Sequence, residues 1–483
     1  MDNPPWQAEA LGQPIPASAH AVSMALPRWQ DVVGYEEKRP AVVRRLSSGY
    51  PRFLIHPLVV ELGKQLDPGG CSLPFPSARA AATAAQFVRR AGGEAARLVA
   101  RNGLHGVATT PAGLPALRAF WQHTGVIVSS RQAEALLAGR PGPNAADDQA
   151  ARRSLRRQLA GFYDCAEDDV FLAPSGMAAQ YAALAAVQQR APGFPTAQLG
   201  FPYVDTLKLQ QKFGPGGLLL HDLERLPDEL DALLRRQAIA ACFCEIPGNP
   251  LLGSADLRRV SPLLRQRRVP LVADDVVATP FNVDLSPCAD LIATSLTKFV
   301  VGTGDAMGGA LVCNPRSPLC AELKAIVAAQ HEELLWWEDV AVFDAQARGF
   351  PERMRRHNEN GLWLAERLRQ HPAVERVWYP KWESGAAYDA VRRERGGWGA
   401  LITFLPKNAE TRAPEVYDRL AVCKGPSLGT IFTLACPFML LAHYTELDWA
   451  ERCGVPRSLI RLSIGLEDPA DLWQRLQRAL DGR

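Results

Sequence analysis

The sequence predicts an α/β protein with a mostly parallel central sheet, followed by a smaller α/β domain at the C-terminus. Three observations carry this. From about residue 151, short apolar runs alternate with stretches of helical spacing. Polar residues with chemical use fall just after those runs, at the carboxyl ends of the expected strands, where sheets of this kind bind ligands. A charged helical stretch over 352–370 then separates this alternation from a second set of strands.

In chain order, residues 1–150 read as an extended N-terminal region with an arm and helices. An alanine-rich run over 80–101 has helical spacing, and 140–150 reads as an exposed loop. Strands are expected at 170–173, 239–245, 269–273, 291–294 and 310–313, with a helix over 176–189. These belong to a large domain over 151–335. Helical sequence fills 318–370, and strands at 374–379, 400–405 and 459–464 belong to a domain over 336–483.

A chain of 483 residues can bury two or three cores. A net charge of +3 is too small to argue for nucleic acid or an anionic membrane, so neither is expected as a partner. No basic start with an apolar core and no apolar run of membrane length is present. The ten cysteines are scattered without C-x-x-C. Cys242 and Cys244 share one side of a strand, a spacing that suits core packing better than zinc. Reduced thiols in a cytoplasm are expected, and no metal.

The chemistry centres on Lys298, in Ser295-Leu296-Thr297-Lys298 at the end of an apolar strand. Desolvation there favours a free amine, which can form a Schiff base with a carbonyl cofactor. Ser295 and Thr297 suit an anion such as phosphate; a plain surface lysine is the alternative. Ser175-Gly176-Met177 opens a helix whose free N–H groups suit a phosphate, or simply makes a strand-helix turn. Asp274 suits a protonated ring nitrogen or a helix N-cap, and Asp275 could fill either role. Asn249 suits a ring hydroxyl or a carboxylate, or a turn. Tyr203 suits stacking on a flat ring, or core packing. Arg461, inside an apolar strand, calls for an anion: a substrate carboxylate or a structural acid.

Together these motifs resemble the Cys/Met-metabolism family of pyridoxal-phosphate enzymes, in particular its cystathionine γ-synthase group. They run in order: Ser175 to Ala179 (SGMAA), Glu245 to Leu252 (EIPGNPLL), Asp274, Ser295 to Lys298 with Gly304 to Gly309, Arg353 to Asn360 with His371-Pro372, and Arg461 to Asp468 (RLSIGLED). The resemblance covers about 151–470 and implies an aspartate-aminotransferase-like fold of type I. It implies pyridoxal 5′-phosphate held by Lys298, with Ser175, Gly176, Met177, Tyr203, Asp274, Ser295 and Thr297 around it. Asn249, Ser427 and Arg461 would hold the substrate. The family's phosphate-binding Y-S-R, supplied by a neighbouring subunit, matches Ser129-Ser130-Arg131 by position, which points to Arg131. Tyr50-Pro51-Arg52 is the rival. Phe432 stands where the family has a glutamate after S-L-G, and Phe201 to Gly214 is similar to the divergent fungal-type branch.

The resemblance implies γ-replacement on an O-acylhomoserine, with cysteine or another nucleophile adding at Cγ through a vinylglycine-type intermediate. Lys298 and Tyr203 would be catalytic, in a homodimer or homotetramer with its active sites at the subunit interface. The alternatives are a γ- or β-lyase, a natural-product synthase with a different, even carbon, nucleophile, and a ligand-binding homologue without turnover.

Overall fold

A computed structural model describes residues 4–92, 94–140 and 142–482. Its first sheet is antiparallel and holds β1 (Ser72–Phe75), β2 (Ala96–Arg101) and β3 (Leu104–Thr109) in the order β1-β3-β2. The helices Ala78–Gly92 and Leu114–Thr124 cover it, with Val88, Val107, Phe120 and Trp121 in the shared core.

The helix expected over 80–101 therefore stops at Gly92, and its second half is β2. Alanine content carried the helical pattern past Gly92, where the helix ends. β2 lies at the sheet edge with Arg97, Leu98, Ala100 and Arg101 exposed, and charged side chains there discourage pairing with another chain. The loop expected over 140–150 is also shorter. A helix starts at Ala145, where the Asn144 side chain accepts the N–H of Ala146 at 2.9 Å. Asp147 and Asp148 sit in its first turn, where the helix dipole favours them. Pro141 lies outside the described residues.

The segment before the helix Trp29–Glu36 crosses to the C-terminal domain, where Leu26 N–H donates to the Lys424 carbonyl at 2.8 Å. Lys424, fully buried, donates to the Pro27 carbonyl, and Tyr417 donates to the Leu26 carbonyl, both at 2.8 Å.

The central sheet has seven strands: β4 (Val170–Ala173), β5 (Thr196–Leu199), β6 (Gly217–Leu220), β7 (Cys242–Glu245), β8 (Leu271–Asp274), β9 (Leu291–Ser295) and β10 (Gly309–Cys313). Their order is β4-β10-β9-β8-β7-β5-β6. Only β10 runs against the rest, so the sheet is mostly parallel as expected. The sequence reading missed β5 and β6. β5 carries Gln198, whose buried side chain accepts from Gln210 at 2.8 Å and breaks the apolar pattern. β6 is a half-buried edge.

The helix Phe350–Gln370 joins this domain to the last one, burying Met354, His357, Leu364, Ala365 and Leu368. The last sheet holds β11 (Val374–Trp378), β12 (Leu401–Pro406), β13 (Cys423–Lys424), β14 (Leu434–Cys436) and β15 (Ile460–Ser463) in the order β11-β12-β15-β14-β13. Among the described residues no helix is long and apolar enough to cross a membrane. The carboxyl ends of β4, β7, β8 and β9 bring Gly176, Asn249, Asp274 and Lys298 to one side of the sheet.

Candidate active site

A cavity of about 130 Å³ opens at those strand ends, between the central sheet, the C-terminal domain and the N-terminal segment. Lys298 is 8% exposed, and its Nζ donates to Ser427 Oγ at 2.8 Å. The same ammonium lies 4.4 Å from the centroid of the Tyr50 ring. Burial lowers the amine's pKa, Tyr50 opposes this, and Arg461 and Arg52 lower it further. The loop carrying Ser427 packs tightly on the lysine: a Cβ at Gly429 would stand 2.6 Å from the Phe299 nitrogen. Ser427 itself has φ +91°, a conformation that costs roughly 1–3 kcal/mol for a non-glycine residue. It is held there by Arg461, whose Nη2 donates to the Ser427 carbonyl at 2.6 Å.

Arg461 is 4% exposed, and its Nη1 donates to Asn249 Oδ1 at 3.2 Å. Its Nε is buried with no partner, a donor in the cavity wall. Asn249 is thus placed beside the guanidinium. Asp274 closes β8; it accepts from Gln180 Nε2 and from the Val276 N–H, both at 2.9 Å. Burial pushes its carboxyl up to about 6. Asp275 turns away from the cavity to accept from the Tyr163 hydroxyl at 2.9 Å, which separates the two adjacent candidates.

Gly176, Met177 and Ser295 line the cavity, and Gly176 is required by space: a Cβ there would meet Ser295 Cβ at 2.6 Å. Ser175 and Thr297 do not line it. The Ser175 hydroxyl donates to the Gly125 carbonyl at 2.8 Å and accepts the Ala178 N–H as helix cap. Thr297 Oγ1 bonds both backbone groups of Gly308 and braces the turn before Lys298.

Arg131 is also elsewhere. Its guanidinium bonds Asp339 at 3.1 Å and Asp305, and it has no place in the cavity wall. Tyr50 and Arg52 are in that wall. Arg52 donates to the Tyr203 hydroxyl at 2.6 Å, to the Gln122 carbonyl at 2.7 Å and to the Asp205 carboxylate. Asp205 is fully buried and also bonds His123 Nδ1 at 2.9 Å and Gln122 Nε2 at 3.1 Å. Burial alone would raise its pKa; Arg52 and His123 outweigh that and hold it well below the usual carboxylate range. The sequence reading passed over Asp205, which lies two residues beyond Tyr203. It also passed over Glu245 as a functional residue, although it opens the quoted EIPGNPLL stretch. Glu245 accepts the Asn249 N–H at 3.4 Å and the Tyr203 N–H, and burial and then Asp274 push it up to about 8.

A family description, Cys/Met metabolism PLP-dependent enzyme, matches residues 149–481. A cystathionine gamma-synthase of Neurospora crassa is 33% identical over 99% of this chain and 98% of its own length. An L-2-amino-4-chloropent-4-enoate dechlorinase/desaturase of Streptantibioticus cattleyicolor is 34% identical over 97% and 98%. Among solved structures, cystathionine gamma synthase from Xanthomonas oryzae in complex with cystathionine is similar with a TM-score of 0.61 at 26% identity, over 69% of this chain and 86% of that one. The chain belongs to the Cys/Met-metabolism family of pyridoxal-phosphate-dependent enzymes. Its fold is the fold type I expected from the sequence, and its cofactor is pyridoxal phosphate.

The residues present fit that cofactor. A desolvated amine, a buried carboxyl that a ring cation would return to its charged form, and a glycine-opened helix start face one cavity.

Glu245 gives a measurable pH signature. Its folded-state pKa is raised above the unfolded value of about 4.3, so the folded chain holds an extra proton between roughly pH 4.3 and 8. Stability contributed by this group therefore falls as pH rises through that window. In thermal melts of the cofactor-free protein, Glu245→Gln should gain on wild type as pH goes from 5 to 8; a constant difference would contradict the shift.

Proposed function

We propose that this enzyme replaces the Cγ acyloxy group of an O-acylhomoserine with a nucleophile of the cysteine or thiol class. One observation carries the reading: Ser427 joins the Lys298 amine through its hydroxyl to the Arg461 guanidinium through its carbonyl. A proton carrier and a carboxylate clamp are thereby fixed at one distance across the cavity. The neighbours in sequence named cystathionine gamma-synthase support the same reading.

When bound, pyridoxal phosphate supplies an electron sink that acidifies the substrate carbons next to the amine. Lys298, its amine pKa lowered by burial, takes the α-proton and moves protons along the substrate chain, work for which a lowered amine pKa is suited. Arg461, through its free Nε and its Asn249-braced fork, holds the α-carboxylate. Asp274 is the partner for the ring nitrogen, with Gln180 fixing its orientation. Tyr203 lies in the wall with its hydroxyl held by Arg52, in position to stack and to assist the leaving group. Arg52, with Gly176, Met177 and Ser295, takes the phosphate contact that position in the chain assigned to Arg131. The ten free cysteines support a cytoplasmic location, and the resemblance supports a homodimer or homotetramer.

A second reading is elimination at the same carbon, which the dechlorinase/desaturase neighbour favours. Product analysis of the holoenzyme with O-acetyl- or O-succinylhomoserine separates them. Replacement predicts cystathionine that appears only when cysteine is added. 2-Oxobutanoate alone, with or without cysteine, would contradict it.

The phosphate assignment has its own test. Arg52→Ala should weaken cofactor affinity by about tenfold or more, the worth of one charge-assisted hydrogen bond. Arg131→Ala should leave it unchanged. The reverse pattern in equilibrium titrations would return the role to Arg131.

A further inference from the structure

Every charged side chain on the cavity wall has a partner except one. Arg52 is held by Asp205 and Tyr203, Lys298 by Ser427, and Arg461 by Asn249 and the Ser427 carbonyl. Asp274 is held by Gln180, and Glu245 by two backbone N–H groups. Glu36, the last residue of the helix Trp29–Glu36, lines the same cavity and makes no side-chain hydrogen bond or ion pair among the described residues. Lys38 offsets it only in part: the two form no ion pair, and the ammonium lies over the Tyr35 ring, 4.4 Å from the centroid. The helix that ends in Glu36 packs on the helix Phe438–His443, and Phe438, Leu441 and Ala442 line the same cavity. Burial pushes the Glu36 carboxyl up to about 7, with the Lys38 ammonium opposing the rise.

Glu36 is half-buried, and a half-buried acid with no ion-pair partner in a substrate cavity gains from a ligand that brings the opposite charge. The first substrate does not supply it. In the proposed function its amine is taken up at the Lys298 end, its carboxylate pairs with Arg461, and its departing acyloxy group is anionic. The remaining cation in the reaction is the ammonium group of an amino-acid nucleophile. We infer that Glu36 is the specificity residue for the second substrate, binding the ammonium of an amino-acid thiol that enters the cavity once the acylhomoserine is in place. This rests on the γ-replacement reading. It assigns a task to the N-terminal segment, which supplies Glu36 from outside the stretch matched by the family description. It also narrows the nucleophile: hydrogen sulfide, methanethiol or a neutral carbon nucleophile would leave the carboxylate unpaired.

The test uses wild-type and Glu36→Gln holoenzyme at saturating O-acetylhomoserine, with L-cysteine, 2-mercaptoethanol and 3-mercaptopropionate as competing thiols. Thioether and 2-oxobutanoate are quantified separately. Glu36→Gln should raise KM for cysteine about tenfold or more, in line with the loss of a charged hydrogen bond. KM for the acylhomoserine should stay near the wild-type value, and 3-mercaptopropionate, which lacks an ammonium group, should be used as well as before or better. Glu36→Lys should deepen the split, rejecting cysteine and favouring the anionic thiol. An unchanged KM for cysteine, or an equal loss with all three thiols, would overturn the inference while leaving γ-replacement standing. If wild type makes 2-oxobutanoate but no thioether from any thiol, the γ-replacement reading falls and the role of Glu36 falls with it.

Discussion

The removal of the Lys298 amine from water is the constraint on which the site is built. A charged ammonium in that position would be costly, so the fold favours the neutral form that chemistry on a carbonyl cofactor needs. Burying it takes three parts of the chain. β9 delivers the lysine to the carboxyl end of the central sheet, the Ser427–Gly429 loop of the C-terminal domain closes over it, and Tyr50 of the N-terminal segment covers the remaining side. Each contact adds something besides exclusion of water. Ser427 accepts the lysine's hydrogen bond, and its strained backbone presents a carbonyl to Arg461. In the proposed function, the local strain and the close approach at Gly429 serve one requirement, a proton carrier and a carboxylate clamp at fixed separation.

Tyr50 reaches the lysine because Arg52, two residues on, is locked below the surface. Its guanidinium bonds Asp205, Tyr203 and the Gln122 carbonyl, and Asp205 is in turn bonded by His123 and Gln122. A buried ion pair of this kind contributes little net stability, but removing one partner leaves the other charge unpaired, so the pair fixes position. The network joins the N-terminal segment, the helix Leu114–Thr124 and the helix Val204–Phe213. A second tether, through Lys424, Tyr417 and the backbone at Leu26 and Pro27, fixes the start of the helix that ends in Glu36. The first third of the chain, which the family description does not cover, is thereby made part of the cavity wall.

Much of this was legible in the sequence. Apolar runs marked the five strands from 170 to 313 that carry or flank the site, because strands buried on both faces leave near-continuous apolar signals. Lys298, Asp274, Asn249, Ser427 and Arg461 were found because each sits at a strand end or in an ordered motif, and the structure brings them to one cavity. What the sequence hid has physical reasons. Gln198 in β5 satisfies its amide internally, which no periodicity reveals. Ser175 and Thr297 have residue types that suit a phosphate, but local backbone groups saturate their hydroxyls. Arg131 fitted by order along the chain, yet two acids hold it away from the wall. Tyr50 and Arg52 are far upstream in sequence, and their approach depends on Asp205, whose partners are set by tertiary packing alone. Glu36 carried no motif; its unpaired state is visible only once the wall is assembled.

The most direct test of a desolvated lysine that holds the cofactor is the visible absorbance of the purified protein beside Lys298→Ala, before and after adding an O-acylhomoserine. Wild type should show a Schiff-base band that the substrate shifts, and the resting variant should lack it. Absence of the band from wild type after pyridoxal phosphate is supplied, or an identical resting band in Lys298→Ala, would contradict the central role of this amine.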